Sequence, residues 1–138
     1  MSAKDTYTRA VEAFNRNDAG AFAALYAADA VVHDPLYPQP LRGRAAIEQD
    51  VVDVRRALPD ARFALRAVLE AEDMAAGEYS LSGTHDGPLA TPEGEIPASG
   101  KTLNTDGAVF SRFNAQGEIV EERRYYDVAG MLAQLGLT

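Results

Sequence analysis

The chain has 138 residues, of which 46% are hydrophobic and 25% are charged, and its formal net charge is −8 at pH 7. This length and composition predict one globular domain, residues 1–138, that buries a core without cross-links. Because the chain has no cysteine, disulfides and thiolate nucleophiles are excluded, and a cytoplasmic location is expected. The acidic balance argues against nucleic acid as a partner, and no apolar run approaches the roughly 18 residues that cross a bilayer, so no membrane partner is expected.

Two short helices are predicted at the N-terminal end. Ser2 or Asp5 opens the first helix, which ends near the segment "NRND". Asp18 caps the second helix. The apolar residues assigned to this second helix are Phe22, Leu25 and Tyr26.

A short strand in "AVVHDPLYP" separates these helices from a third one. The third helix begins at Gly43 and is stopped by Pro59. Its apolar residues recur at helical spacing and are Ile47, Val51, Val54 and Leu58.

After residue 60, the hydrophobic pattern changes from helical spacing to alternation at every second residue. Four segments with this alternation are predicted to form the strands of an antiparallel meander: residues 61–71, 74–85, 101–114 and 118–127. The segment "NAQG" is predicted to form the tight turn between the last two strands. Between the second and third strands, "HDGPLATPEGEIPASGK" holds three prolines and cannot continue as a strand. It is either a lip over a cavity or a plain connection. Helices followed by strands predict an α+β domain whose helices cover one face of a curved sheet.

The chain ends in an amphipathic helix that follows Asp127. Its apolar face consists of Val128, Met131, Leu132 and Leu135. Asp127 has two competing roles: an N-cap of this helix, or a catalytic base in a water-poor pocket. Because Tyr125 and Tyr126 precede it, we expect Asp127 to cap the helix and also to turn its side chain toward a cavity.

Further candidates for chemistry are histidines and polar strand residues, because no known nucleophile motif is present. His33 and His85 each precede an aspartate at a strand end. Adjacent strand residues face opposite sides, so neither His-Asp pair can close on one ion, and we expect no metal.

A polar row is predicted on the last two strands. Arg123, Tyr125 and Asp127 share one face of the last strand if no bulge intervenes, and Asn104 and Asp106 share one face of the preceding strand. Such a row is either a solvated outer surface or the polar wall of a cavity.

Several pieces in order resemble one family. They are "VVHDP", Gly43 at a helix start, "PD" at 59–60, "GTHDG" at 83–87, "SGK" at 99–101, "GEIVE" at 117–121 and "YDVAGMLAQLG" at 126–136. Together they resemble the SnoaL-like polyketide cyclases of the nuclear-transport-factor-2-like superfamily. The resemblance implies a cone-shaped α+β half-barrel, with a curved sheet wrapped around the N-terminal helices, an apolar pocket, and often a homodimer formed through the sheet.

The resemblance also implies residue roles and the absence of a cofactor. The aspartate matching Asp127 removes an activated α-proton before intramolecular aldol closure, and His85, in the matching "GTH" strand, could hydrogen-bond the enolate oxygen. Cyclases of this family carry a tryptophan shortly before the aspartate, and this chain has none. The remaining candidates for substrate binding are His33, Asn104, Asp106, Arg123 and Tyr125.

Three functions stay open at this point. The leading one is a cofactor-free cyclase or isomerase that acts on a small, partly apolar carbonyl compound with Asp127 as general base. A limonene-type epoxide hydrolase is the second, with Asp106, Arg123 and Asp127 as its Asp-Arg-Asp set. The third is a non-catalytic, dimeric ligand-binding domain in which Asp127 is only a cap. A homodimer is expected through the outer sheet face, which helices on one side leave uncovered.

Overall fold

The computed structural model describes residues 1–137, which form four helices and eight strands. The helices are α1 (Ala3–Asn15), α2 (Ala19–Ala23), α3 (Gly43–Ala57) and α4 (Val128–Gln134). The strands are β1 (Tyr26–His33), β2 (Leu41–Arg42), β3 (Arg62–Ala71), β4 (Met74–Thr84), β5 (Leu89–Thr91), β6 (Gly94–Ile96), β7 (Thr102–Phe113) and β8 (Ile119–Tyr126). Within residues 1–137, no helix is both long and apolar enough to cross a membrane.

Six of the strands form one curved, unclosed sheet in the order β2-β1-β8-β7-β4-β3. The antiparallel meander of β3, β4, β7 and β8 is the predicted one. Strand β1 extends it by pairing with β8 in parallel, and β2 pairs with β1 at the edge. The predicted α+β class, with the sheet curved around the N-terminal helices, is confirmed.

The helix starts follow from local capping. The Ser2 hydroxyl accepts a hydrogen bond from the Asp5 amide at 3.1 Å, and the Asp5 carboxylate accepts one from the Ser2 amide, so α1 begins with a complete capping box. Asp18 caps α2 through the Ala21 amide at 2.9 Å. Both caps agree with the sequence prediction.

The second helix is shorter than predicted. It ends at Ala23, so Leu25 lies beyond it and Tyr26 begins β1. The reason is tertiary: the Leu25 carbonyl accepts a hydrogen bond from the Ile119 amide, and the Tyr26 side chain is buried against the sheet. Strand pairing therefore overrides the local helical pattern.

The core lies between the helices and the concave face of the sheet and has two parts. One part joins α1, α3 and α4 to the sheet and contains Phe14, Val51, Ala57, Leu58, Ala61, Leu103, Met131 and Leu135. The other joins α2 and α3 to β1 and contains Ala23, Tyr26, Ala27, Ala30, Val32, Ile47 and Ile119.

A bulge in β8 decides which of its side chains face this core. The pairing of β8 with β7 shifts register between Ile119 and Glu121, which leaves Val120 as an extra residue of β8. Ile119 is buried, and beyond the bulge the inward residues become the even-numbered ones, Glu122, Arg124 and Tyr126. The odd-numbered residues Arg123 and Tyr125 are exposed on the outer face.

Candidate active site

A cavity of about 180 Å³ lies between the helices and the concave face of the sheet. Its wall is mainly apolar and aromatic, with contributions from Phe14, Phe22, Phe63, Leu81, Leu103 and Met131. Four charged side chains also line it: Asp34, Asp50, Glu122 and Arg124. The cavity therefore combines a large apolar surface with one concentrated group of charges.

Arg124 is the centre of this charged group. Its Nη1 lies 2.7 Å from Asp50 Oδ2 and 3.1 Å from Asp34 Oδ2. Its Nε lies 2.9 Å from Glu122 Oε2. The four side chains are only 4% to 11% exposed, so these ion pairs are shielded from water. We call Asp34, Asp50, Glu122 and Arg124 the inner cluster.

Each carboxylate of the inner cluster also accepts a hydrogen bond from its own tyrosine. The pairs are Tyr126 with Asp34 at 2.6 Å, Tyr37 with Asp50 at 2.9 Å, and Tyr26 with Glu122 at 2.9 Å and 3.0 Å. The elements that supply the carboxylates lie far apart in sequence: Asp34 follows β1, Asp50 is on α3 and Glu122 is on β8. Only the folded chain brings these groups together.

Burial and charge set the protonation of the donors. Burial opposes the charge on Arg124, but Glu122 and Asp50 outweigh it and raise the pKa of Arg124 well above its ordinary value. Burial, followed by the nearby carboxylates, raises the pKa of Tyr26 and Tyr126 well above the usual tyrosine value. Arg124 is therefore a fixed cation, and the tyrosines remain hydrogen-bond donors.

A hydroxyl chain links the inner cluster to α1. Tyr7 donates a hydrogen bond to Ser111 Oγ at 2.8 Å, and Ser111 Oγ lies 3.4 Å from Glu122 Oε1. Burial raises the pKa of Tyr7 to about 12. These hydrogen bonds link α1 to β7 and β8 and help to hold the Glu122 side chain in place.

The three carboxylates differ in how much acceptor capacity they have left. A carboxylate offers about four acceptor positions. Within residues 1–137, Glu122 accepts from three donors, one of which it shares between its two oxygens, Asp34 accepts from three donors and Asp50 accepts from two. Asp50 therefore keeps the most capacity for a proton or a ligand.

The long segment between β4 and β7 forms part of the cavity wall. It folds as the small β5–β6 hairpin, and Leu89 of β5 lines the cavity. The Gly87 amide donates to the Ala57 carbonyl at 3.1 Å, and a Cβ at Gly87 would overlap the Arg56 carbonyl oxygen. Glycine at this position thus lets the hairpin pack against the end of α3, which favours the reading of the segment as a lip over the cavity.

His85 does not line the cavity. Its side chain is fully buried, and Nδ1 lies 2.9 Å from Ser99 Oγ and accepts from the Ser99 amide at 3.3 Å. Nε2 is buried and has no hydrogen-bond partner among the described residues. His85 thus holds the end of the hairpin segment at Ser99, and the predicted contact of His85 with an enolate is not supported by its position outside the cavity wall.

Asp127 occupies the seam before α4, as predicted, but its side chain is exposed. Its Oδ1 accepts a hydrogen bond from the Gly130 amide at 2.9 Å, which makes it the N-cap of α4. The residue is absent from the cavity wall, where its neighbour Tyr126 stands instead. The capping role is confirmed, and the expectation that the carboxylate also turns toward the cavity is corrected by the alternation of side chains along β8.

The other predicted binding residues lie on the outer face of the sheet. Arg123 pairs with Glu121 at 3.2 Å, and Asp106 pairs with Arg66 at 3.4 Å. His33 Nε2 lies 3.5 Å from Glu121. Asn104 and Tyr125 are exposed on the same face. None of these predicted residues lines the cavity, and Asp106, Arg123 and Asp127 do not lie together in its wall.

The residues of the inner cluster could be recognised only weakly from the sequence. Asp50 lies on the apolar stripe of α3, between Ile47 and Val51, where a charged side chain must be buried. Asp34 belongs to the "HD" pair that was noted beside His33. Glu122 and Arg124 are the alternate residues of the charged run "EERR", and the bulge at Val120 decides that they face inward.

A metal site has no support from the arrangement of side chains. Within the described part of the chain, no group of three histidine, aspartate or glutamate side chains is placed to hold an ion. The guanidinium of Arg124 instead lies among the three carboxylates. The expectation that no metal is needed stays a prediction.

The chain is similar to known proteins in both sequence and structure. The model of the SnoaL-like polyketide cyclase family matches residues 4–135. Two similar solved structures are IdmH from Streptomyces antibioticus, a proposed polyketide cyclase (28% identity, TM-score 0.78, 99% of both chains), and a proposed polyketide cyclase from Xanthomonas campestris (27% identity, TM-score 0.78, 96% of both chains). AclR from Streptomyces galilaeus, a proposed hydroxylase, shares the fold at 20% identity (TM-score 0.81, 98% of this chain and 96% of that chain). No curated protein matches the chain.

Proposed function

Because the chain belongs to the SnoaL-like polyketide cyclase family, we propose that it is an enzyme that moves protons on a small, mostly apolar carbonyl compound without a cofactor. The reaction is an aldol cyclisation or an isomerisation. The observation that supports this proposal is the inner cluster, a shielded group of three carboxylates and one guanidinium in the wall of an apolar cavity. Such a site offers a base, hydrogen-bond donors and little water, which are the needs of enolate chemistry.

The size of the cavity supports a small substrate. Its volume of about 180 Å³ is comparable to the ~150 Å³ apolar cavity that binds benzene in an engineered protein. One ring with a carbonyl group therefore fits without rearrangement. A compound with several fused rings requires the β5–β6 hairpin to move outward.

We propose Asp50 as the general base. It lines the cavity and accepts only two hydrogen bonds from residues 1–137, so an acceptor position remains for a substrate proton. Asp34 and Glu122 accept more hydrogen bonds and hold Arg124 in place. Asp127, the base implied by the family resemblance, remains the competing candidate, and its exposed position at the start of α4 weighs against it.

The test is α-proton exchange in deuterium oxide, followed by NMR over a panel of aromatic ketones and esters with one to four rings. Asp50→Asn keeps the side-chain volume but cannot take the proton, so exchange should fall by about 100-fold or more. Asp127→Asn should leave the rate within about threefold of wild type, because an amide oxygen still caps the helix.

Two controls separate the candidates. Glu121→Gln removes a carboxylate from the outer face of the same strand as Glu122 and should have no effect on exchange. If Asp127→Asn abolishes exchange and Asp50→Asn does not, Asp127 is the base. If the wild-type protein binds these ketones but exchanges none of them, the non-catalytic ligand-binding function is the better one.

A second candidate function, epoxide hydrolysis, is favoured by one observation. Arg124 Nη1 contacts both Asp34 and Asp50, so these three residues, and not Asp106, Arg123 and Asp127, form an Asp-Arg-Asp arrangement. In this reaction one carboxylate activates water and the other protonates the epoxide oxygen. Mass spectrometry of epoxide incubations distinguishes the two functions, because a hydrolase product contains one added water and an isomerase product does not.

We further propose that the protein is a cytoplasmic homodimer joined through the outer sheet face. Phe110 and Tyr125 are exposed there, and their rings meet edge to face at 5.9 Å between centroids. Exposed aromatic pairs of this kind are common at interfaces. Light scattering should give about twice the chain mass of 14.8 kDa, and Phe110→Glu should give a monomer. A wild-type mass near 14.8 kDa at micromolar concentration contradicts the dimer.

A further inference from the structure

Tyr79 differs from the other tyrosines of the cavity wall. It lies on the inner face of β4, lines the cavity, and packs edge to face against Phe63 at 5.1 Å between ring centroids. Its hydroxyl forms no hydrogen bond within residues 1–137, whereas the hydroxyls of Tyr7, Tyr26 and Tyr126 are all engaged. The hydroxyl is also not among the fully buried polar atoms that lack a partner, so it retains some exposed surface, and the residue lines the cavity.

Gly107 determines where this hydroxyl lies. Tyr79 pairs with Gly107 across β4 and β7, and Gly107 pairs in turn with Tyr126 on β8. A Cβ at Gly107 would lie 2.5 Å from Tyr79 Cζ and closer still to the hydroxyl. The ring therefore crosses β7 over the bare Cα of Gly107, toward the strand that carries Arg124. Any larger residue at position 107 forces the ring away.

The hydroxyl of Tyr79 is a neutral donor at physiological pH. Burial raises its pKa to about 12, with the charge of Arg124 acting in the opposite direction and the carboxylates of the inner cluster adding to the increase. Arg124 offers a second donor. Its Nε and Nη1 make the hydrogen bonds to the carboxylates of the inner cluster, and within residues 1–137 its Nη2 makes no hydrogen bond to those carboxylates.

We propose that Tyr79 Oη, together with Arg124 Nη2, binds the carbonyl oxygen of a one-ring ketone, and that Gly107 is the residue that allows this position. The inference rests on the proposed function for its catalytic consequence. When Asp50 takes the α-proton, the C–H electron pair forms a carbon–carbon double bond and the carbonyl π pair moves to oxygen. The proton stays on Asp50 until the product carbon or alkoxide takes it back. The negative charge that develops on oxygen strengthens both hydrogen bonds.

Binding tests the oxygen site without requiring turnover. Acetophenone and α-methylstyrene have nearly the same shape, but the second carries a methylene group in place of the carbonyl oxygen. Wild-type protein should bind acetophenone about tenfold more tightly in NMR titrations, since only the ketone accepts from the two donors. Tyr79→Phe keeps the contact of the ring with Phe63 and should remove most of this preference. Tyr125→Phe, the same change on the outer face, should retain it.

Turnover provides the second measurement. Tyr79→Phe should lower kcat for α-proton exchange by about 10- to 100-fold with little change in KM, because the bond strengthens mainly in the transition state. Gly107→Ala should cause a similar loss by displacing the ring, and the double variant should lose no more than either single variant, because both act on one hydroxyl.

The outcomes separate this inference from the proposed function. A wild-type protein without preference for acetophenone, or a Tyr79→Phe variant that retains the preference, overturns the oxygen site. A wild-type protein that shows the preference, loses it in Tyr79→Phe and yet exchanges no proton supports the oxygen site and rejects the proposed catalysis.

Discussion

Arg123 and Arg124 are neighbours in β8, yet they belong to two different kinds of charged region. Arg124 is 11% exposed and contacts three carboxylates that are 4% to 8% exposed. Arg123 is 48% exposed and contacts Glu121 on the outer face of the sheet. Both regions contain an arginine among acidic groups, and the same strand supplies both.

The two regions show that the energetic role of a charged cluster depends on its burial and not on its residue types alone. Water screens the outer pairs, so each is worth well under about 1 kcal/mol and tolerates substitution. In the inner cluster the charges have lost water and depend on each other, so removing one partner leaves another buried and uncompensated. The same dependence fixes the side chains in place, which is what a catalytic or binding site needs.

Removing each arginine in turn tests most directly whether the two charged regions differ in energy. Arg124→Met should destabilise the protein by about 3–5 kcal/mol or prevent folding, because three buried carboxylates lose the cation that each of them contacts. Arg123→Met should change the free energy of unfolding by less than about 0.5 kcal/mol. Urea unfolding followed by circular dichroism measures both. Equal effects would show that the two regions do not differ in energy.

Alkaline pH tests the buried tyrosines around the inner cluster. Burial raises the pKa of Tyr7 to about 12 from 10.0, so above pH 10 the unfolded chain releases this proton before the folded chain does. Stability from Tyr7 is therefore complete below pH 10 and should fall by about 2 kcal/mol by pH 12. Urea unfolding between pH 8 and pH 12 should show a shallower decline for Tyr7→Phe than for wild type. Parallel curves for the two proteins contradict the assignment.

Tyrosine hydroxyls on the two faces offer a finer comparison. Tyr26→Phe removes a donor that contacts both oxygens of Glu122 and should cost about 1–3 kcal/mol. Tyr125→Phe removes an exposed hydroxyl and should change stability by less than about 0.5 kcal/mol. Thermal unfolding of both variants under one set of conditions checks the difference. A Tyr125→Phe protein as unstable as Tyr26→Phe would count against it.

The smallest expected effect concerns the outer pair formed by Arg66 and Asp106. A double-mutant cycle with Arg66→Gln and Asp106→Asn should give a coupling energy below about 0.5 kcal/mol, and this coupling should vanish at about 1 M salt. The same salt should leave the inner cluster unchanged, because counterions do not reach it. A coupling energy above about 1 kcal/mol would contradict the expectation that water screens the outer pair.

Much of the fold could be predicted from local pattern, and the exceptions have physical causes. The alternation of apolar residues at every second position correctly predicted β3, β4, β7 and β8, and the capping residues correctly predicted the starts of α1 and α4. Tyr26 was assigned to α2 and lies in β1, because its burial and the pairing of β1 with β8 outweigh the helical pattern. The candidate site was harder to predict. Asp127 was found as a cap, whereas the cavity wall uses Tyr126, one residue earlier.

Local sequence patterns were sufficient to predict the α+β class, the meander, the capping of the terminal helices and the resemblance to the family, because propensity, periodicity and caps act within a few residues. The face of β8 that lies inside depends on the folded structure, because one extra residue at Val120 sets the alternation of every later side chain. The meeting of Asp34, Asp50 and Glu122 around Arg124 is likewise a property of the folded chain. It depends on strand pairing and helix packing between segments as much as 90 residues apart in sequence.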